Sequence, residues 1–461
     1  MCNLAASSPN LLAIDGPATW EKVFIVIIFL CSSGAFLPLL LGFDYDPGSG
    51  MGTLTLDVVW AVLFAIAFWL LLRQPESAFA GLKKNWIFLL LLGMPFASTL
   101  WSDRPLITFL ASGALTGTVA VSLYITERFT SQQLLGLLGW TLCLSGACSL
   151  LFVIFLPRYG IGTGDFAGEW QGIYAQKNEL GRIMALGFLI YLLRFKFTRP
   201  RQVRYLFLAA FMLALVCLAQ SATAVVVCLS VPAVLWGTKF AVAPSRRPVR
   251  RILFVLLLPL SLLFASAIYF EQITNALGRD AGLTGRAALW SLVTQAIQDQ
   301  PLLGYGYEAF WRGGGTQADE IWKEFGEFLY FSHNGMLEVC LALGLLGVIV
   351  VVGAFCVLSW RALRSIRERF SLSTVWPLLF LWYLFVVNLT DDYLLRFHTL
   401  QTILFFVVVL GMPRDFRMAE AASLDARSER RRPHLPIVRL LPSGDSNWNG
   451  VGGSSTLGAR K

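Results

Sequence analysis

Long apolar runs follow one another through almost the whole chain, and they decide its class of fold. Hydrophobic residues make up 56% of the 461 residues and charged residues only 14%, which excludes an ordinary soluble domain. Each run approaches the roughly 20 apolar residues that cross a bilayer as a helix. The sequence therefore predicts an all-α polytopic membrane protein with about 12 transmembrane helices. The predicted spans are 23–41, 54–72, 86–100, 105–125, 134–156, 179–193, 205–219, 221–237, 252–270, 334–358, 376–388 and 397–412.

Lys and Arg residues divide unequally between the two alternating sets of short connections. One set holds eighteen of them, whereas the other holds only Arg104, Arg158, Lys177 and Arg396. Positive residues stay on the cytoplasmic side of a membrane, so both termini are predicted to be cytoplasmic. The net charge of +9 is mainly a topology signal, and it gives no reason to expect nucleic acid as a partner.

One polar, aromatic-rich segment interrupts the apolar runs and sets the domain organisation. Helices 1–9 occupy 1–270, a large periplasmic loop with amphipathic helices occupies 271–333, and helices 10–12 occupy 334–412. The Arg-, Ser- and Gly-rich remainder, 413–461, is predicted to be a disordered basic cytoplasmic tail. A loop held against the outer membrane face is a suitable place to handle a water-soluble group attached to a lipid.

Ionisable residues are nearly absent from the centres of the spans and lie near their outer ends. Ion-coupled transporters usually place a charged relay near the midplane, so this distribution favours chemistry at the membrane surface. Span 6 begins at Lys177-Asn178-Glu179, with Arg182 one turn further in. A helix N-terminus attracts anions, so basic residues on several such ends indicate a shared polyanion such as a diphosphate. For Arg182 alone, interfacial snorkelling or a pair with Glu179 is the alternative.

The loop contains a second basic candidate on a predicted helix. From Arg286 to Gln298 the apolar residues recur with helical spacing, and Thr284 is the expected N-cap. This helix is expected to lie along the bilayer surface with its apolar face against lipid or protein. Arg286 then lies in the first turn, near the positive helix end; a surface pair with an aspartate is the alternative.

Aromatic residues and one histidine complete the candidates in the loop. Tyr305, in the predicted turn Gly304-Tyr305-Gly306-Tyr307, and Phe310-Trp311 after it are candidates to stack on sugar rings, although interfacial anchoring is the alternative for such aromatics. His333 stands between two polar residues at the start of span 10, with Glu338 one turn below Asn334. His333 is either structural or functional, and Glu338 is expected to orient it or to pair with an arginine. No ligand spacing for a metal occurs, and no cofactor is expected.

These motifs, in this order, resemble the O-antigen ligase/polymerase superfamily of bacterial inner-membrane proteins, particularly exopolysaccharide-repeat polymerases. The resemblance covers roughly 150–350. It rests on Trp170-Gln171-Gly172-Ile173-Tyr174-Ala175-Gln176-Lys177-Asn178-Glu179-Leu180-Gly181-Arg182, Ser221-Ala222-Thr223, Thr284-Gly285-Arg286 with Trp290, Pro301-Leu302-Leu303-Gly304-Tyr305-Gly306 and Ser332-His333-Asn334. Ala222 departs from the family, because many relatives have arginine there; Arg279 or Arg396 is a candidate to replace that charge.

The resemblance implies a metal-independent glycosyltransferase whose donor is an undecaprenyl-diphosphate-linked oligosaccharide and whose acceptor is a sugar hydroxyl. His333, Arg286 and Arg182 are then the catalytic candidates. The substrate-binding candidates are Lys177, Asn178, Asn334, Glu338, Trp290, Tyr305, Arg279 and Arg396. Polymerisation of an exopolysaccharide or O-antigen repeat is the first hypothesis, with a chain-length regulator and a flippase as potential partners. Ligation of glycan to lipid A core or protein, and lipid-oligosaccharide flipping or transport, are the alternatives.

Overall fold

The computed structural model describes residues 17–36, 51–73, 82, 85–162, 167–198, 200–242, 283–326 and 328–411. All of them belong to one unit, Met1–Arg417. The predicted span 9, the candidate Arg279 and the predicted tail at 413–461 lie outside the described residues.

The described part of the chain is helical, apart from connecting segments and one isolated antiparallel bridge between Ile161 and Trp170. Its helices of more than one turn are α1 (Thr19–Ser32), α2 (Met51–Leu72), α3 (Trp86–Ala97), α4 (Pro105–Arg128), α5 (Ser131–Phe155), α6 (Lys177–Phe197), α7 (Arg204–Ala219), α8 (Ala222–Val242), α9 (Leu283–Asp299), α10 (Gln317–Phe325), α11 (Gly335–Glu368), α12 (Leu372–Val387) and α13 (Leu400–Gly411). Single turns lie at Ser98–Leu100, Pro157–Gly160 and Phe310–Arg312. The predicted all-α polytopic fold is confirmed.

Five of the described helices are long and apolar enough to cross a membrane: α2, α4, α5, α8 and α11. Shorter apolar helices include α7, α12 and α13. Each predicted span within the described ranges coincides with a helix, although some ends differ. The last span begins at Leu400, not near Arg396, because 388–399 forms an irregular connection. The left-handed backbone of Gln220, with φ of 52°, separates α7 from α8.

Polar side chains inside the bundle are accommodated by bonds to their own helix. In α4, the Ser112 hydroxyl donates to the Thr108 carbonyl at 2.7 Å, and the Ser122 hydroxyl donates to the Thr118 carbonyl at 2.8 Å. Ser122 is also 3.0 Å from the Ile403 carbonyl, which ties α4 to α13. Buried hydroxyls are costly without partners, so these bonds allow a Ser- and Thr-containing helix inside an apolar core.

A second hydrophobic core lies beside the main bundle and is built from α9, α10, the segment between them and the first turns of α11. Leu289, Val293, Tyr305, Ile321 and Leu341 are buried in it. The predicted apolar face of α9 therefore packs on protein. The helix begins at Leu283, one residue before the predicted cap Thr284, so that cap prediction was wrong.

Helix α11 is broken at Gly344, where φ is 62° and ψ is −163°. The segment 301–306 docks into this break: the Tyr305 amide donates to the Leu341 carbonyl at 2.7 Å, and the Leu345 amide donates to the Pro301 carbonyl at 2.8 Å. These bonds use backbone groups that an unbroken helix would pair internally. The break fixes the first nine residues of α11, which start at the candidate site, against the second core.

Candidate functional site

The connection between α12 and α13, residues 388–399, is the centre of the candidate site, and we call it the α12–α13 loop. The starts of three other helices contact it. The Gly335 amide at the start of α11 donates to the Asn388 carbonyl at 2.9 Å. At the start of α8, the hydroxyls of Thr223 and Thr390 are 2.7 Å apart. Helix α6 supplies Arg182 to the same loop, and helix α9 supplies Arg286.

Arg182 lies one turn inside α6 and is buried, with 6% of its surface exposed. Its Nη1 is 3.1 Å from a carboxylate oxygen of Asp391, and its Nη2 is 3.9 Å from a carboxylate oxygen of Glu179. The guanidinium carbon also lies 3.9 Å from the centre of the Tyr393 ring. Arg182 Nε is buried and makes no hydrogen bond within the described residues. The alternative pair with Glu179 is present, although it is longer than the pair with Asp391.

Arg286 reaches the same loop from the first turns of α9. Its NH1 donates to the Thr390 carbonyl at 3.2 Å. Burial lowers the pKa of Arg286 below its usual range, and the negative charge of Asp391 opposes this effect. Among the described residues, Arg286 makes no salt bridge with a carboxylate. A half-buried guanidinium with spare donors is suited to an anionic oxygen from a ligand.

His333 immediately precedes α11 and has an unusual backbone, with φ of 51°. Its ring packs edge-on against Phe331 at 4.3 Å. Burial and the positive charge of Arg286 lower the pKa of His333 to about 4. The imidazole is therefore neutral at neutral pH, and its buried Nδ1 makes no hydrogen bond within the described part of the chain. Positive φ in a bulky residue is rare and often marks a functional position.

Asn334, not His333, is the N-cap of α11. Its side-chain oxygen accepts from the Met336 and Leu337 amides at 3.0 and 3.1 Å, and its side-chain nitrogen donates to the Leu389 carbonyl at 3.3 Å. All three contacts fix the start of α11 against the α12–α13 loop. The structure thus gives Asn334 an architectural role beside the site, and its predicted contact with substrate stays a prediction.

Among the described residues, Glu338 bonds to neither His333 nor an arginine, and its carboxylate has other partners. Its carboxylate accepts from Trp311 Nε1 at 3.0 Å and from the Ser332 amide at 2.9 Å. Trp290 Nε1 donates to the Ser332 carbonyl at 2.9 Å. Glu338 and Trp290 therefore hold Ser332 from two sides, and they position the residue that precedes His333.

The remaining candidates are engaged in other contacts. Arg396 pairs with Asp392 at 2.6 Å and lies 5.1 Å from the Phe331 ring. Lys177 pairs with Glu169 at 2.7 Å, while Asn178 is half-buried in the first turn of α6. Tyr305 is buried, and its hydroxyl donates to the Ala296 carbonyl at 2.7 Å. The ring of Tyr305 therefore packs in the second core and does not line an open sugar-binding surface.

Asp391 is the residue that sequence reasoning did not select for the site. It contacts Arg182 directly, and its charge also acts on the pKa of Arg286 and of His333. In the sequence it stands next to Asp392, and the two side chains take different partners: Arg182 for Asp391 and Arg396 for Asp392. Among the described residues, no group of three His, Cys, Asp or Glu residues has the arrangement of a metal site.

The described helices form a multi-pass membrane protein, and part of its chain is similar to a known family. The model of a protein family described as O-antigen ligase matches residues 207–352 of this chain. The match includes Arg286 and His333 and leaves Arg182 and Asp391 outside. The resemblance to the O-antigen ligase/polymerase superfamily is thereby confirmed.

A particular relative adds a second line of comparison. The chain is 29% identical over 293 residues to "Exopolysaccharide production protein ExoQ" of Rhizobium meliloti (strain 1021). The alignment covers 59% of this chain and 66% of that protein, slightly less than two thirds of the relative's length.

Proposed function

We propose that this protein is an inner-membrane glycosyltransferase that polymerises undecaprenyl-diphosphate-linked oligosaccharide repeats of an exopolysaccharide or O-antigen. The observation that carries the proposal is the convergence of Arg182, Arg286 and His333 on the α12–α13 loop. Arg286 makes no salt bridge among the described residues, and Arg182 Nε and His333 Nδ1 are buried without hydrogen bonds. Buried polar groups normally have partners, and a diphosphate can supply acceptor oxygens to the two arginines.

The chemistry follows from these side chains. A sugar hydroxyl of the acceptor attacks the anomeric carbon of the donor, and the bond from that carbon to the diphosphate oxygen breaks. The leaving diphosphate gains negative charge, which preorganised guanidinium groups stabilise. The hydroxyl proton passes to a base, and neutral His333 is the candidate, although a pKa of about 4 makes the free imidazole a weak base. A bound diphosphate would raise that pKa by placing negative charge nearby. Hydrogen bonding of His333 to phosphate is the alternative role.

Ligation is the second candidate function, and the family match to O-antigen ligase favours it. A ligase uses the same donor and transfers finished glycan to lipid A core or to a protein. The exopolysaccharide role named for the relative favours polymerisation. Transport or flipping fits less well, because the site's charged residues gather at helix starts and in the connecting loop and do not form a path along the bundle.

The proposed reaction takes place on the periplasmic face, with both termini in the cytoplasm. This orientation rests on the distribution of Lys and Arg between connections. Single cysteines at Gly315 and Asp445 test it in a cysteine-free background. In intact cells, a membrane-impermeant thiol reagent should label residue 315 and spare residue 445, and the reverse pattern would refute the orientation. A chain-length regulator and a flippase of the export system are the proposed partners.

Purified protein supplied with lipid-linked repeat tests the activity. Polymerisation gives a ladder of product lengths, whereas ligation gives a single transfer to an added foreign acceptor. Arg286→Ala should abolish either product, and Arg286→Lys should restore only part because a point charge lacks the planar fork of arginine. Arg312→Ala is the matched control, because Arg312 is exposed and contacts only the Glu308 carbonyl in the described structure. Movement of labelled donor across proteoliposomes without any new glycosidic bond would instead support the transporter alternative.

A further inference from the structure

Two arginines meet on one tyrosine at the opposite end of α6 from Arg182. Arg194, in the last turn of α6, donates from NH2 to the Tyr205 hydroxyl at 2.9 Å, and Arg204 donates to the same oxygen at 3.3 Å. The guanidinium carbons lie 4.8 and 5.0 Å from the centre of the Tyr205 ring. Tyr205 itself is buried and stacks on Tyr191. The two like charges are therefore close to each other on a fixed aromatic base.

No carboxylate balances these two charges among the residues that the structure describes. Arg204 is the first residue of α7, whose first turn has no acidic residue and whose N-cap Val203 makes no side-chain cap. A positive residue at the positive end of a helix is electrostatically unfavourable unless an anion is present. Arg194 Nε is also buried without a hydrogen bond in the described structure.

A contrasting arginine shows how this chain builds a closed ion pair. Arg128 donates to both carboxylate oxygens of Glu21, at 2.7 and 2.9 Å, and the Tyr124 hydroxyl completes the cluster at 2.5 Å. There, one guanidinium, one carboxylate and one tyrosine satisfy each other. The Arg194–Tyr205–Arg204 cluster has a second arginine in place of the carboxylate, so it has donors left for an anion.

The surroundings indicate an anion that carries acyl chains. Three exposed apolar residues lie at the start of α7, next to Arg204 in the chain. They are Val203, Leu206 and Phe207, with 58, 48 and 73% of their surfaces exposed. These apolar side chains lie next to the charged cluster, as the acyl region of a lipid lies next to its phosphate. Gln202, in the turn before Tyr205, has a buried side-chain oxygen without a hydrogen bond, which can accept from a headgroup hydroxyl.

We propose that Arg194, Arg204 and Tyr205 form a binding site for the phosphate of an anionic phospholipid with a glycerol headgroup. The Lys and Arg distribution predicts that this end of the bundle faces the cytoplasm, where basic pockets between helices bind anionic lipid headgroups. The site is separate from the one around Arg182 and does not depend on the proposed glycosyl transfer.

Native mass spectrometry of the delipidated full-length protein, titrated with phosphatidylglycerol or phosphatidylcholine, tests the site. We expect wild type to retain phosphatidylglycerol in preference to phosphatidylcholine. Arg194→Gln with Arg204→Gln should weaken phosphatidylglycerol binding about 30-fold, or about fivefold for each arginine. Arg204→Gln alone, at an exposed position, provides the test if the double variant folds poorly. Arg73→Gln is the matched control, because Arg73 lies 3.6 Å over the ring of Trp69 and no second arginine contacts that ring among the described residues.

The outcomes separate a lipid site from simpler explanations. An unchanged lipid preference in folded Arg204→Gln and in the double variant would overturn the proposal. An equal loss in Arg73→Gln would also overturn it, since general surface charge would then account for the binding. Millimolar inorganic phosphate should not displace the lipid; full displacement would assign the cluster to free phosphate and overturn the lipid assignment. Equal affinities for phosphatidylcholine and phosphatidylglycerol would also overturn the assignment to an anionic lipid.

Discussion

Arg182 of α6 and Asp391 of the α12–α13 loop form a buried ion pair at the centre of the candidate site, with 3.1 Å between Nη1 and the carboxylate oxygen. Arg182 keeps a buried Nε without a hydrogen bond in the described structure, although its Nη1 is occupied. A carboxylate and a diphosphate compete for the same guanidinium donors. Asp391 thus contacts the guanidinium of Arg182 in the place where the donor's diphosphate is proposed to bind.

Asp391→Asn is therefore expected to bind the lipid diphosphate donor more tightly than wild type. The amide removes the competing negative charge but keeps the size of the side chain. The expected gain is roughly tenfold, the scale of one charge-assisted hydrogen bond of about 1.5 kcal/mol. Donor affinity in detergent is the measurement. Weaker binding in this variant would mean that Asp391 only positions Arg182.

Arg182→Ala should both destabilise the protein and abolish product formation. Removal of the arginine leaves the largely buried Asp391 without its ion-pair partner, at a cost of about 3 kcal/mol. The double variant Arg182→Gln with Asp391→Asn should recover most of the thermal stability, because neither charge remains. It should stay inactive, since the anion-binding fork is gone. Recovered activity in the double variant would assign Arg182 a purely structural role.

His333→Asn separates the chemistry of the side chain from the shape of the backbone. Asparagine tolerates the left-handed conformation at this position better than most residues, and the cap on α11 comes from Asn334. We expect a folded protein whose donor binding is largely retained and whose glycan transfer falls by about 10²–10⁴, the range of a lost general base. Parallel loss of binding and transfer would favour the phosphate-contact role. Near-normal transfer would remove His333 from the mechanism.

The stability of the protein should depend on pH through His333. Its pKa is 6.5 in an unfolded chain and about 4 in the folded protein, so the unfolded chain binds the proton first as pH falls. The contribution of neutral His333 to the free energy of unfolding is fully present above about pH 6.5. It is lost progressively between pH 6.5 and 4, by up to about 3 kcal/mol. Melting temperatures of wild type and His333→Asn across this range measure it by difference. Identical pH dependence in both proteins would contradict the folded-state pKa.

The bundle and the apolar face of α9 were predictable because both depend on local periodicity. Leu289 and Val293 recur at helical spacing, and they are buried as expected. The start of α13 was not predictable in the same way. The predicted span began at Phe397, but Leu395 and His398 have left-handed backbones, and the helix begins only at Leu400.

The sequence predicted three residues of the candidate site but did not predict Asp391. Arg182, Arg286 and His333 were selected because each lies near a helix start with polar neighbours. Asp391 lies 209 residues from Arg182 along the chain, and no spacing rule links two such distant positions. Glu338 was assigned to His333 by proximity in sequence, whereas its carboxylate turns to Trp311 and Ser332, which the folding of 301–312 onto α11 brings within reach.

The break in α11 gives a final prediction about how the site is held in place. A Cβ atom on Gly344 would lie 2.3 Å from the Leu302 carbonyl carbon, and φ of 62° is unfavourable for alanine. Gly344→Ala should therefore displace 301–306 from α11, lower the melting temperature and reduce transfer, since the segment that begins at Asn334 loses its support. Gly353→Ala is the matched control on the same helix: it has no close neighbours and should be neutral or slightly stabilising. Equal stability and activity of the two variants would show that the docked segment does not support the site.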